Sequence, residues 1–182
     1  MTNKQQHLIL VGFMASGKST LGKASAELLG WPFIDLDHWI EQQVGMTIPE
    51  IFTKQGEVIF RQWEREALLH VQVLPTPHVV ATGGGLPCQG HNMDYLLTLG
   101  KVIFLNPDRG VLLERLHEMR ADRPMLSKVP ATELDAHIEQ LMAHRLPFYQ
   151  RAHHTLEQEQ LTPQHLTKLA PVKTAAPDNA TD

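Results

Sequence analysis

Residues Gly12-Phe13-Met14-Ala15-Ser16-Gly17-Lys18-Ser19-Thr20 fit the pattern G-x-x-x-x-G-K-[ST]. They lie between an apolar run, His7 to Val11, and a segment of helical period that opens at Lys18. A strand that turns through glycines into a helix makes a cradle of backbone N–H groups at the positive end of a helix dipole, which suits a phosphate. A plain glycine-rich turn is the other reading of the bare pattern, and the strand-loop-helix placement weighs against it. On the phosphate reading, Ala15, Ser16, Gly17, Lys18, Ser19 and Thr20 surround the phosphates of ATP or GTP. Lys18 then bridges the β- and γ-phosphates, and Ser19 offers its hydroxyl to Mg²⁺.

The rest of the chain alternates strand-length apolar runs with helix-length amphipathic segments, the pattern of an α/β domain with a parallel sheet. Five strands are predicted: His7 to Val11, Trp31 to Ile34, His78 to Ala81, Lys101 to Leu105 and His154 to Glu157. Most are apolar throughout, as strands covered by helices on both faces must be, so a three-layer α/β/α arrangement follows. Helices are predicted over Lys18 to Leu29, Asp37 to Val44, Ile48 to Lys54, Glu57 to Val71, Asn92 to Leu99, Asp108 to Leu116, Thr132 to Arg151 and Pro163 to Ala170. Gly30, Gly56 and Gly100 are C-cap candidates, and Pro147 is expected to kink or end its helix. His117 to Pro130 reads as a loop, and the small, polar stretch from 171 to 182 as a disordered tail after a single domain over 1–170.

Composition removes several classes of function. Sixteen Lys+Arg against twenty Asp+Glu, with no basic cluster, argue against nucleic-acid binding. The longest apolar run is too short to span a bilayer and no signal-peptide pattern is present, so a cytoplasmic protein without a membrane partner is expected. The one cysteine, Cys88, forms no internal disulfide and suits a reducing compartment. The eleven histidines lack zinc-ligand spacing, and Trp31, Trp39 and Trp63 read as core or interface residues.

A GTP switch needs a guanine-reading Asn-Lys-x-Asp after a late strand, whereas Asn3-Lys4 precedes the first, which favours ATP. The strand at His78 to Ala81 runs into Thr82-Gly83-Gly84-Gly85 rather than an Asp, so the metal-side carboxylate must come from elsewhere. Asp35 and Asp37 stand at the carboxyl end of the second strand, the edge where open α/β sheets bind ligands. Asp35 can face Mg²⁺ beside Ser19 while Asp37 accepts the proton of an acceptor hydroxyl; the alternative for each is a helix cap. The Gly83-Gly84-Gly85 run permits a close backbone approach to a ligand. Arg61 lies in an amphipathic helix, where an ion pair with Glu57 or Glu64 is the first reading, and Arg145 precedes Pro147, whose kink would aim nearby side chains at the sheet edge.

The phosphate loop, Asp35-Leu36-Asp37, Phe60-Arg61, Gly83-Gly84-Gly85, Arg123-Pro124-Met125-Leu126 and Arg145-Leu146-Pro147-Phe148-Tyr149 together resemble the shikimate kinases in order and spacing, over roughly residues 7–170. The resemblance implies a P-loop NTPase fold like that of the nucleoside-monophosphate kinases, with a substrate-binding helical insertion around 37–71 and a lid around 117–130. It implies phosphorylation of the 3-hydroxyl of shikimate with MgATP, on the route to chorismate and aromatic amino acids; a compact enzyme of this size is expected to be a monomer. Lys18, Asp37 and Arg123 then serve catalysis, with Arg123 also on ATP. Asp37, Arg61, Gly83, Gly84, Gly85 and Arg145 hold shikimate, and Ser19 and Asp35 serve the metal. Arg115 and Arg120 could flank the adenine or phosphates. A kinase of another small polyol acid, such as gluconate, and a regulatory nucleotide-binding module are the alternatives. Many relatives carry a glycine where this chain has Ala15, whose methyl is accommodated there if φ is negative. The segment from His153 to Gln164, where the family makes adenine contacts, is the weakest match.

Overall fold

The computed structural model describes residues 7–119, 126 and 129–171. The first apolar run forms β1 (His7–Val11), buried along its whole length. It enters the phosphate loop and α1 (Lys18–Leu29), which Gly30 closes in the left-handed conformation. Next comes β2 (Phe33–Asp35), two residues later than expected at its start. Trp31 is drawn instead into the end of α1, its N–H donating to the Ala26 carbonyl at 3.0 Å.

Three helices follow: α2 (Leu36–Val44), α3 (Ile48–Lys54) and α4 (Glu57–Gln72). Asp35 caps α2, accepting from the N–H groups of Asp37 at 3.0 Å and His38 at 3.3 Å. A capping box between Thr47 and Glu50 opens α3. The chain then forms β3 (Val79–Ala81), α5 (Asn92–Leu99), β4 (Gly100–Asn106), α6 (Arg109–Glu118), α7 (Leu134–Tyr149), β5 (His154–Glu157) and α8 (Pro163–Lys168). Gly100 does not cap α5 in the left-handed form; its φ of 176° is extended and it starts β4. A side chain there would overlap the His7 backbone. Pro147 does not stop its helix at once: α7 runs on two residues to Tyr149.

The five strands make one parallel sheet in the order β2-β3-β1-β4-β5, as the alternating pattern predicts. Alternate residues of β1 feed two cores. Ile9 and Val11 face α2, α4, α5, α6 and α7 through Leu36, Ile40, Leu68, Leu96, Leu116 and Ile138. Leu8 and Leu10 face α1 and α8 through Leu21, Ala26 and Leu166. These are the two outer layers expected from strands buried on both faces. The connection leaving β1 runs to β2 on one side of the sheet and the connection leaving β3 runs to β4 on the other, so the carboxyl edge between β1 and β3 is a topological switch point where ligands bind. Of the expected lid, residues 120–125, 127 and 128 lie outside the described residues, as do residues 172–182 of the expected tail. Among the described residues no helix is long and apolar enough to cross a membrane.

His7 ties the amino-terminal edge of this sheet together. It is 2% exposed, and its Nδ1 accepts the His78 backbone N–H at 3.1 Å, which requires that nitrogen to be unprotonated. Burial, with the His78 ring adding to it, pushes the His7 imidazole down to about 4. The unfolded chain therefore binds a proton near pH 6.5 that the native chain refuses until about pH 4, and stability falls as pH falls through that window. This residue alone should cost on the order of 3 kcal/mol of unfolding free energy by pH 4. His7→Asn keeps an acceptor for His78 and does not titrate, so urea unfolding from pH 7 to 4 should show a flatter profile. A mutant profile parallel to wild type would remove His7 as the cause.

Candidate active site

The phosphate loop closes with Gly17 in the left-handed conformation at the N-terminus of α1, aiming that helix end at the loop. Lys18 is 8% exposed; its Nζ donates to the carbonyls of Gly12 at 3.0 Å and Phe13 at 2.8 Å and to Ser16 Oγ at 3.3 Å. Phosphate oxygens would compete with those neutral acceptors for a charged donor, and a charge-assisted bond is the stronger. Ala15 departs from expectation. Its φ is +61°, the left-handed region that L side chains avoid, so the methyl group is not accommodated at negative φ but held in a strained turn. Arg115 Nη1 donates to the Ala15 carbonyl at 3.2 Å and braces that peptide.

A cavity of about 600 Å³ lies over this loop. Ala15, Ser16, Gly17, Lys18, Ser19 and Thr20 line it, with Arg115, Gln158, Leu161 and Pro163 at the far side. A second cavity of about 350 Å³ adjoins it, with a polar wall of Asp37, Arg61, Glu64, Gly83, Gly84, Gly85 and Arg145. Its other wall is apolar: Met14, Ile48, Phe52 and Phe60. Ser19, Asp35, Asp37, Met14 and Gly84 line both cavities and form the partition across which two ligands would meet.

Each polar group of the second cavity is held by a neighbour. Arg61 makes the ion pairs of the local reading, with Glu57 at 2.7 Å and Glu64 at 2.8 Å, and lines the cavity as well. Its guanidinium also lies 5.3 Å from the centroid of the Phe60 ring. Arg145 is 6% exposed and lies 5.4 Å from the Phe13 ring centroid. The two guanidinium groups converge beside Gly85, where a Cβ would stand 3.2 Å from Arg61 Nη1 and 3.6 Å from Arg145 Nη2. Gly84 packs on the phosphate loop so closely that a Cβ would sit 3.0 Å from the Met14 nitrogen. Asp35 caps α2 through Oδ1 and accepts from Ser19 Oγ through Oδ2, so one carboxylate joins the helix start to the phosphate loop. Asp37 lies beside Gly83, a Cβ on which would be 2.5 Å from Asp37 Oδ1. Arg123 lies outside the described residues.

The family model for shikimate kinase matches residues 14–171. The chain belongs to the shikimate kinase family. It is 41% identical over 154 residues to a shikimate kinase of Bacteroides thetaiotaomicron, covering 85% of this chain and 87% of that one. A structure of shikimate kinase from Acinetobacter baumannii in complex with shikimate superposes with a TM-score of 0.80 at 37% identity, covering 90% of this chain and 89% of that one. The crystal structure of shikimate kinase from Bacteroides thetaiotaomicron gives a TM-score of 0.77 at 38% identity, covering 88% and 93%.

Sequence reasoning about this shikimate kinase family member passed over several lining residues. Glu64 was visible only as a partner for Arg61, yet it is 1% exposed and sits in the cavity wall. Burial pushes its carboxyl up to about 7, Asp37 adding to that and Arg61 opposing it. Arg115, a sequence candidate for the adenine or phosphates, reaches from α6 to the phosphate loop 100 residues away and lines its cavity. Gln158, Leu161 and Pro163 come from the segment of weakest match; a 3₁₀ turn at Gln158–Gln160 brings them to the nucleotide cavity. The scattered histidines form no metal site: among the described residues no three His, Cys, Asp or Glu side chains gather.

Two substitutions test this geometry. Ala15→Gly relieves a left-handed alanine while loosening the unfolded chain, for a net gain of about 1 kcal/mol, a rise of about 2–3 °C in Tm by calorimetry. A fall in Tm would show that the methyl's packing outweighs its strain. Gly83→Ala forces the Asp37 carboxylate aside; kcat should drop about ten-fold or more with the fold intact by circular dichroism. A kcat within about twofold of wild type would mean the carboxylate tolerates the shift.

Proposed function

We propose that this protein phosphorylates the 3-hydroxyl of shikimate with MgATP, giving shikimate 3-phosphate and ADP on the way to chorismate and the aromatic amino acids. The observation that carries the reading is the pair of guanidinium groups at Gly85, in a small cavity that shares the Asp37 wall with a phosphate loop. A ring acid with a carboxylate and several hydroxyls matches that cavity: Arg61 and Arg145 take the carboxylate and the apolar wall takes the ring. The backbone of Gly83, Gly84 and Gly85 meets its oxygens, and Asp37 takes the reacting hydroxyl.

Ala15 to Thr20 cradle the nucleotide phosphates, with Lys18 on the β- and γ-phosphates. Ser19 and Asp35 fit Mg²⁺: they are hard oxygen donors already in contact with each other, and one or two such groups beside substrate phosphates are what that ion takes. Bound there, Mg²⁺ would neutralise charge on the phosphates. The acceptor oxygen forms its bond to the γ-phosphorus as the bond to the β,γ-bridging oxygen breaks, ADP leaves, and the hydroxyl proton passes to Asp37. Arg123 is assigned to the transferring phosphoryl group by its place in the Arg123-Pro124-Met125-Leu126 motif. One cysteine suits a reducing cytoplasm.

ADP release from MgATP should depend on shikimate and not appear with gluconate or without acceptor; turnover with gluconate alone would overturn the acceptor. Arg61→Ala should raise the shikimate KM about 30- to 100-fold, the loss of a charged hydrogen-bond pair, with the MgATP KM nearly unchanged. A matching rise in the MgATP KM would move Arg61 out of the acceptor site.

A further inference from the structure

Tyr149 has no part in the scheme above, yet it joins the elements that build the acceptor cavity. It ends α7 one turn after Arg145, so the two side chains share a helix face. The ring is 2% exposed and tilted against Phe104 at 5.2 Å between centroids. Its hydroxyl donates to the Gly84 carbonyl at 2.5 Å, a contact across 65 residues of sequence. Arg145 and the Cys88 thiol reach the same hydroxyl.

The consequence follows from peptide planarity. In a trans peptide the carbonyl of one residue and the N–H of the next point in opposite directions. A hydroxyl that fixes the Gly84 carbonyl on the α7 side therefore aims the Gly85 N–H away from α7, and no cis peptide intervenes. Two adjacent glycines have no side chain to set that plane, and Gly85 is where the guanidinium groups of Arg61 and Arg145 converge. Gly84 is fixed on its other side by the phosphate loop at Met14.

We propose that the Tyr149 hydroxyl is a positioning group for the acceptor: it sets the Gly84–Gly85 peptide plane and the adjoining Arg145 guanidinium as one unit that receives the acid. The inference rests on the reading of this cavity as the shikimate site. Burial raises the Tyr149 phenol well above its ordinary range, so the hydroxyl stays a donor at every working pH. Tyr149 acts through Gly84 and Arg145 and does not itself line the acceptor cavity.

The test is Tyr149→Phe in the full chain, which keeps the ring packing and deletes only the donor. Steady-state kinetics should show the shikimate KM raised about five- to ten-fold, kcat changed less than about twofold, and the MgATP KM unchanged. Thermal unfolding supplies the second measurement. A lowered Tm with an unchanged shikimate KM would overturn the proposal, because the bond would then serve stability alone. Parallel rises in both KM values would also overturn it, by showing that the whole partition has moved. Shikimate-independent behaviour of the wild-type chain would overturn the acceptor reading and this proposal together, whereas normal wild-type turnover with an unaltered variant would overturn the positioning role alone.

Discussion

Gly84 approaches the phosphate loop at Met14 closely enough that a Cβ would be tight there, and the meeting of the two cavities depends on it. It originates in the sheet order: β3 pairs with β1, so the loops leaving their carboxyl ends emerge side by side. Thr82 fastens them further, its N–H and Oγ1 both donating to the Leu10 carbonyl, at 3.1 and 3.0 Å. Any side chain at Gly84 would push the loops apart and separate Ser19, Asp35 and Asp37 from the groups that face them. Transfer between two bound ligands needs reacting atoms about 3–3.5 Å apart, so the width of this partition matters more than the size of either cavity.

Charge balance in the acceptor cavity follows from the same crowding. Arg61 and Arg145 are brought together with little water to screen their repulsion, and Glu64 and Glu57 offset it. Glu57 is exposed and contributes little, whereas Glu64 is buried against Arg61 and within the influence of Asp37. Burial resists ionisation of the Glu64 carboxyl, and Asp37 adds to it, which is why Glu64 rises to about 7 despite its guanidinium partner. The Arg61 guanidinium is thereby held in one orientation on the cavity wall by Glu57 and Glu64. Pre-oriented Arg forks lose little further entropy on binding an acid, so the ion pairs within the wall favour affinity rather than compete with it.

How much of this was legible in the sequence depended on the range of the interaction. The strands of β1 and β5 and the helices α1, α3 and α5 lie where periodicity and capping residues placed them, because those signals act within a few residues. Start of β2 was misplaced because the apolar run at Trp31 looks like strand, while a hydrogen bond back to Ala26 holds it in the turn after α1. The phosphate loop was legible as a motif, but the positive φ of Ala15 was not. Loop closure imposes that dihedral, and alanine itself gives no sign of it. Arg115 and Tyr149 act on partners brought in by tertiary packing, 100 and 65 residues away, which no local pattern shows, whereas Glu64 pairs with Arg61 within one helical turn and only its burial in the cavity wall depends on the fold. Asp35 and Arg61 show a further limit: local roles as cap and ion-pair partner were weighed against roles in the site, and the two prove compatible.

That compatibility explains why the site can be built from so few residues. Asp35 uses one carboxylate oxygen to start α2 and the other to receive Ser19, so the helix that carries Asp37 is oriented by the same group that faces the phosphate loop. Asp37 is in the first turn of that helix, and a displacement of Asp35 would rotate it out of the partition. Strain at Ala15 acts in the opposite sense. Arg115, from the helix leading toward the 117–130 segment, holds the strained peptide, so the shape of the phosphate loop is coupled to α6 as well as to its own glycines. The nucleotide side is thus stiffened from α6 and the acceptor side from α7, and Gly84, which touches both the phosphate loop and Tyr149, is where the two meet.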